Sequence, residues 1–228
     1  FTKGLKAALK LNGIINLEFP HLLKLLENTQ FDTVYHEHFS YLSLYTVINI
    51  FEAAGLKVWH VEQLSTHGGS LRIYGCHINA NYQKQESINK VLMIEKEFGL
   101  KTIKTYLNFQ NRANKIKNEL LLFLIEQKKQ NKKIAGYGAA AKGNTLLNYA
   151  GVKPDLLPLI FDAALAKQGK YMPGSHIPII APSEIENYNL DYLLILPWNI
   201  SDEVQKQNYK LKIKGVRFVT FVPQIEIK

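Results

Sequence analysis

Four clusters of residues in this sequence have the types and spacing for chemistry. The first is Tyr35-His36-Glu37-His38, with Tyr41 close behind. An imidazole titrates near pH ~6.5 and takes up a proton at neutral pH. A neighbouring carboxylate such as Glu37 can orient the ring or stabilise its charge. A tyrosine such as Tyr35 can donate to a developing oxyanion. Three readings of this cluster compete: acid–base catalysis, a metal site, and a surface aromatic loop. The metal reading is short of ligands, because no further His, Cys or Asp stands at the usual spacing.

The second cluster is Thr66-His67-Gly68-Gly69-Ser70-Leu71-Arg72. Its glycines suit either a tight turn or the close approach of a ligand, which His67 and Arg72 would border. The third is Gly136-Tyr137-Gly138-Ala139-Ala140-Ala141-Lys142-Gly143-Asn144-Thr145. It follows a strand and opens a helix, where free backbone amides attract phosphate. Lys142 adds a cation, and Thr145 a hydroxyl. Gly136-x-Gly138-x-x-Ala141 also fits a dinucleotide fingerprint, with Asp162 near the end of the next strand. That pattern keeps an NAD-binding module as the alternative reading. It is not a Walker A loop, since Lys-Gly stands where Gly-Lys is required. The fourth cluster, residues 167–178, is a polar loop beyond Asp162 that a bound nucleotide could meet.

These clusters need elements to hold them. The pattern predicts a helix over 2–10, a strand over 14–19, helices over 21–28 and 44–54, and strands over 56–61 and 70–78. Gly55 stands where a helix would stop. The last two strands suggest an antiparallel edge on an otherwise parallel sheet. Residues 84–133 read as two Lys-rich helices parted near Gly99. From residue 134, strands over 134–137, 157–161, 178–180, 192–196 and 216–222 alternate with helices over 145–150 and 202–207. Ser201 is the expected cap of the last helix. Such alternation predicts a small parallel sheet, hence an α/β fold. Active sites in open sheets of this kind lie past the carboxyl ends of the strands.

Composition narrows the function. Of 228 residues, 46% are hydrophobic and 21% charged, as in an ordinary globular protein. No apolar run reaches the ~18 residues of a membrane span, and the opening residues do not form a secretory signal. The expectation is a cytoplasmic protein. The single cysteine, Cys76, excludes an internal disulfide. The net charge of +9 raises nucleic acid as a partner. However, the cations are nearly all Lys, with Arg only at 72, 112 and 217, and base reading favours Arg. An anionic small molecule accounts for a few of the charges.

Taken in order, EFPHLLKLLENTQFDTVYHEHFSYLSL, THGGSLRIYGCH, GYGAAAKGNTLLNYAGV, KQGKYMPGSHIPI and YLLILPWNISDEV resemble the bacterial sugar C-methyltransferases, which methylate C3 of thymidine-diphosphate keto-deoxysugars. The resemblance runs along essentially the whole chain. Members of that family have an N-terminal zinc domain, a central S-adenosylmethionine-binding Rossmann domain and a C-terminal Rossmann-like domain that helps hold the nucleotide sugar. The resemblance implies that residues 1–80 are the second half of the methyltransferase Rossmann domain. It makes 81–131 a helical connector and 132–228 the nucleotide-sugar-binding domain. It further implies His38 as general base at C3, Glu37 as a positioning or polarising group, and Tyr35 at the sugar. Lys142, Asn144, Thr145 and Tyr137 would lie near the nucleotide diphosphate, with His67 and Arg72 bordering the cleft. The zinc cysteines and the glycine-rich cofactor loop of the family are not in this sequence. The expectation is therefore a C-terminal portion whose S-adenosylmethionine site lies mostly elsewhere, with no metal site of its own. Sugar identity, stereochemistry and oligomeric state are not legible.

Overall fold

A computed structural model describes residues 1–228. By its internal contacts the chain divides into two compact units. One comprises Phe1–Asn28 with Phe39–Phe109, the other Thr29–His38 with Gln110–Lys228. No helix is long and apolar enough to cross a membrane.

In the first unit the order is α1 (Thr2–Ala8), β1 (Ile15–Pro20), α2 (Leu22–Glu27), α3 (Leu44–Ala53), β2 (Leu56–Leu64), β3 (Ser70–His77) and α4 (Glu86–Phe98). The strands form one sheet in the order β1-β3-β2, with both pairings antiparallel. Leu71 and Ile73 of β3 point to the core while Arg72 and Tyr74 point away, the period-2 pattern of a half-buried sheet. α3 and α4 cover the inner face with Leu44, Val47, Phe51, Ile88 and Val91. The antiparallel pair expected over 56–78 is present. The parallel sheet expected to carry it is not formed by these residues, because β1 also runs antiparallel to β3.

Glu95 of α4 is 3% exposed and closes this unit's core. Its Oε1 accepts from the Leu44 amide at 2.6 Å and lies 2.9 Å from His21 Nε2; its Oε2 accepts from the Tyr45 amide at 3.1 Å. These amides open α3, where no intrahelical acceptor exists and a negative charge is favoured. Ser43 supplies the side-chain cap, accepting from the Thr46 amide.

In the second unit, α5 (Phe109–Lys129) leads to β4 (Ile134–Tyr137), α6 (Ala141–Ala150), β5 (Ile160–Phe161), β6 (Ile179–Ile180), β7 (Tyr192–Ile195), α7 (Ser201–Gln207), α8 (Tyr209–Ile213), β8 (Arg217–Thr220) and β9 (Glu226–Ile227). The sheet order is β6-β5-β4-β7-β8-β9. The first five strands are parallel, and β9 closes the edge antiparallel to β8. β4 and β7 are buried along their whole length, as strands covered on both faces must be. The core gathers Ala135, Tyr137, Phe161, Leu193, Ile195 and Phe218.

Several boundaries differ from those expected. α6 begins at Ala141 rather than Thr145, because the weak helix former Gly143 is held inside it by packing. β5 is confined to Ile160–Phe161, since Pro158 has no amide for the ladder. Ser201 is not a cap: it is the first residue of α7, after a 3-10 turn, and its Oγ accepts from Gln205 Nε2 at 3.0 Å. β9 was not foreseen in so short a tail.

Glu95→Ala leaves two α3 amides and the His21 ring without their buried acceptor. Urea unfolding is expected to show a loss of about 2–4 kcal/mol, with the far-UV spectrum of the folded chain retained.

Candidate active site at the reversal point of the sheet

The parallel sheet of the second unit reverses its order between β4 and β7. Successive strands run outward from β4 to β5 and β6, and on the other side from β7 to β8. The loops leaving two such strands part company and open a crevice at their carboxyl ends. Gly138, Ala139 and the first turn of α6 leave β4. Leu196, Pro197, Trp198 and Asn199 leave β7.

Glycines set the spacing of these loops. A Cβ on Gly138, at φ +88°, would lie 2.5 Å from Pro197 Cδ. On Gly143 it would lie 2.7 Å from Leu196 Cβ, and on Gly136 2.8 Å from Ile160 Cγ1. The first two approaches bring the turn and the start of α6 against the end of β7. Lys142 then reaches from the first turn of α6 to the loop after β7. Its Nζ donates to Asn199 Oδ1 at 2.9 Å and lies 4.4 Å over the Trp198 ring. Partial burial lowers the Lys142 pKa, a tendency that the Asp32 charge opposes.

Asp32 arrives from far away in sequence. The segment Thr29–His38 folds into this unit, not with the residues that flank it. Its 3-10 turn Phe31–Thr33 packs on α6, with the Phe31 ring 5.1 Å from that of Tyr149. Asp32 is wholly buried and its Oδ2 accepts from Trp198 Nε1 at 2.6 Å. Its Oδ1 is also buried and has no hydrogen-bond partner. Burial pushes the Asp32 pKa up to about 6, against the opposing pull of the Trp198 hydrogen bond and the Lys142 charge.

The same turn orients His38. The ring Nδ1 lies 2.9 Å from the Thr33 carbonyl oxygen. A carbonyl can only accept, so Nδ1 carries the hydrogen and, in the neutral ring, Nε2 keeps its lone pair. The Tyr35 ring lies against the imidazole, tilted by 36° with the centroids 4.2 Å apart. His36 and Glu37 are exposed on the same loop.

Other residues singled out in the sequence are placed as follows. Thr145 is on α6, its hydroxyl donating back to the Ala141 carbonyl at 3.1 Å. Asn144 Oδ1 accepts from Asn148, which also donates to the Pro173 carbonyl and so ties the loop after Asp162 to α6. Tyr137 is buried in the core. His67 and Arg72 belong to the first unit. His67 is exposed in a 3-10 turn, and Arg72 bonds Glu18 at 2.9 Å with Glu62 at 3.7 Å. Cys76 is fully buried, and burial raises its thiol pKa.

Asp162 bears on the dinucleotide reading. In a dinucleotide site the acid at the end of the second strand turns toward a ribose. Here Oδ2 accepts from the Ala139 amide at 2.7 Å and from Lys167 Nζ at 3.1 Å, and Oδ1 accepts from the Ala164 amide at 2.8 Å. The carboxylate is bound up within the loop it would have to leave, so the residues present do not fit an NAD ribose. The same lack of a ribose acceptor argues against an S-adenosylmethionine site on this loop. No group of three or more His, Cys, Asp or Glu stands ready to hold a metal.

Residues 65–223 match the family described as the C-methyltransferase C-terminal domain. The chain belongs to that family. It is also 34% identical over 221 residues to the C-methyltransferase NovU of Streptomyces niveus. That match covers 97% of this chain and 53% of the relative, so the chain spans about half the length of the curated protein it matches. The C-methyltransferase C-terminal match takes in Lys142, Trp198 and Asn199, whereas Asp32 and His38 precede it.

Sequence reasoning missed Asp32, Trp198 and Asn199 as site residues. The last two had a signal, since Pro197-Trp198-Asn199 follows a strand at its carboxyl end. Asp32 had none beyond its nearness to the aromatic loop.

An acid whose folded pKa is raised contributes stability that is fully present below its unfolded pKa and is lost as pH rises through the folded value. For Asp32 that window runs from about 4 to about 6. The stability gained by Asp32→Asn relative to wild type is therefore expected to be about 2 kcal/mol larger at pH 7.5 than at pH 4.5. Chemical denaturation at the two pH values measures this difference.

Proposed function

We propose that the chain is the substrate-holding portion of an S-adenosylmethionine-dependent C-methyltransferase acting on a nucleotide-diphosphate keto-deoxysugar. The reading is supported most directly by residues 29–38. The segment that bears His38 folds into the same compact unit as Lys142 and the crevice between β4 and β7. A proton acceptor and an anion-binding cation thus belong to one unit, as an enzyme that deprotonates the sugar of a nucleotide sugar requires. The name of the Streptomyces relative agrees with methyl transfer to carbon.

In this reading the second unit is a Rossmann-like nucleotide-sugar domain. The diphosphate lies by the start of α6, where free amides and Lys142 meet it, with Asn144 and Thr145 nearby. The substrate's C4 ketone acidifies the C3 proton. His38 Nε2 removes that proton, while Nδ1–H stays on the Thr33 carbonyl. Glu37 and Tyr35 flank the sugar and polarise or position it. S-adenosylmethionine supplies the methyl group when bound. Its site would lie mostly with the other half of the enzyme. Residues 1–80 would complete that methyltransferase domain, and residues 81–131 would connect it to the nucleotide-sugar domain. The alternative, an NAD-binding module, is disfavoured by the engagement of Asp162.

Calorimetric titration of the chain is expected to give heat with thymidine diphosphate and none with NAD. Lys142→Ala should weaken diphosphate binding at least about tenfold. Binding of NAD without response to thymidine diphosphate would reverse the assignment. In the active methyltransferase, His38→Ala should abolish turnover while nucleotide-sugar affinity stays within a few fold. Retained turnover would remove His38 as the base.

A further inference from the structure

We infer that Asp32 is the positioning residue for His38, holding the base-bearing turn on the Trp198 indole so that the Thr33 carbonyl fixes the imidazole tautomer. The inference rests on the reading of His38 as the base.

The chain of contacts is short. Asp32 Oδ2 accepts from Trp198 Nε1 at 2.6 Å, and Trp198 in turn lies beneath Lys142 Nζ. Asp32 is the middle residue of the 3-10 turn Phe31–Thr33. That turn is knit together by its own backbone: the Thr33 amide and hydroxyl both donate to the Gln30 carbonyl, and the Val34 amide donates to the Phe31 carbonyl. It therefore moves as a piece. Thr33, next in the chain, presents its carbonyl to His38 Nδ1 and to the Tyr35 amide. Phe31 anchors the turn by an apolar contact that permits sliding and rotation. The Asp32 bond is directional and does not. Whatever tilts the turn tilts the Thr33 carbonyl and frees His38 to place its hydrogen on the other nitrogen.

One feature argues against a purely structural Asp32. One oxygen of a fully buried carboxylate lacks any partner, an arrangement that costs stability where an apolar residue would not. That oxygen is also out of reach of solvent, so Asp32 acts through the turn and not on a substrate atom.

The test is the tautomer of His38, read by nitrogen-15 NMR of the whole histidine-labelled chain at about pH 8, above the ordinary imidazole range. Its signal among the seven histidines is assigned with His38→Gln. Wild type is expected to hold the Nδ1–H form. Asp32→Ala removes the acceptor, and Trp198→Phe removes the donor while keeping the ring. Each should shift His38 toward the Nε2–H form that a free imidazole favours. Asp32→Asn keeps a carbonyl oxygen for Trp198 and should restore the Nδ1–H form. A general loss of stability would not produce this pattern. Folded Asp32→Ala and Trp198→Phe chains that keep wild-type His38 would overturn the inference. If Asp32→Ala does not fold, Trp198→Phe decides alone. In the active enzyme Asp32→Ala should lower kcat about tenfold or more with the sugar KM within about threefold. If His38→Ala instead leaves turnover intact, the base reading fails while the tautomer result still reports on Asp32.

Discussion

The hydrogen bond from the Trp198 indole to the Asp32 carboxylate joins two parts of the chain separated by 166 positions. The turn that carries it places the residues leading to His38 in the parallel-sheet unit. The loop carrying Trp198 exists because β7 ends at the reversal of that sheet. A carboxylate is an expensive group to bury. It is buried at a point where a polar partner, a nearby cation and the turn leading to His38 converge, which is where perturbed titration is informative about function.

The glycines of Gly136-Tyr137-Gly138 and Gly143 have a different role from the one a fingerprint suggests. They face protein, namely Ile160, Pro197 and Leu196, at distances that leave no room for a methyl group. Gly138 and Gly143 draw the start of α6 against the end of β7, which is what lets Lys142 span to Asn199. A glycine-rich turn after a strand is therefore compatible with several ligands. The groups around it, and above all the engagement of Asp162, discriminate among them.

Local patterns were legible in the sequence. Alternation marked β2 and β3, apolar runs marked β4 and β7, and glycines marked the ends of helices such as α6 at Gly151. The strand order was not legible, because a parallel sheet's pairing depends on crossovers that carry no register signal. Nor was the second-unit membership of residues 29–38. Asp32 reads as an ordinary polar residue between Phe31 and Thr33, and only the distant Trp198 gives it a partner. His38 could be picked out by residue type and resemblance. Its tautomer depended on a backbone carbonyl whose direction no side-chain pattern encodes.

The long separation between Asp32 and Trp198 also has a consequence in time. On a growing polypeptide the 29–38 segment emerges before β7, and its docking surface is finished only when the end of β7 has been made. Until then Asp32 is hydrated and ionised like any exposed acid. Closing so long a loop carries an entropic cost that local turns do not. The 29–38 segment is thus expected to be among the last parts of the second unit to order during synthesis, so that a protein-synthesis intermediate stalled before residue 198 would carry His38 without the means to orient its ring.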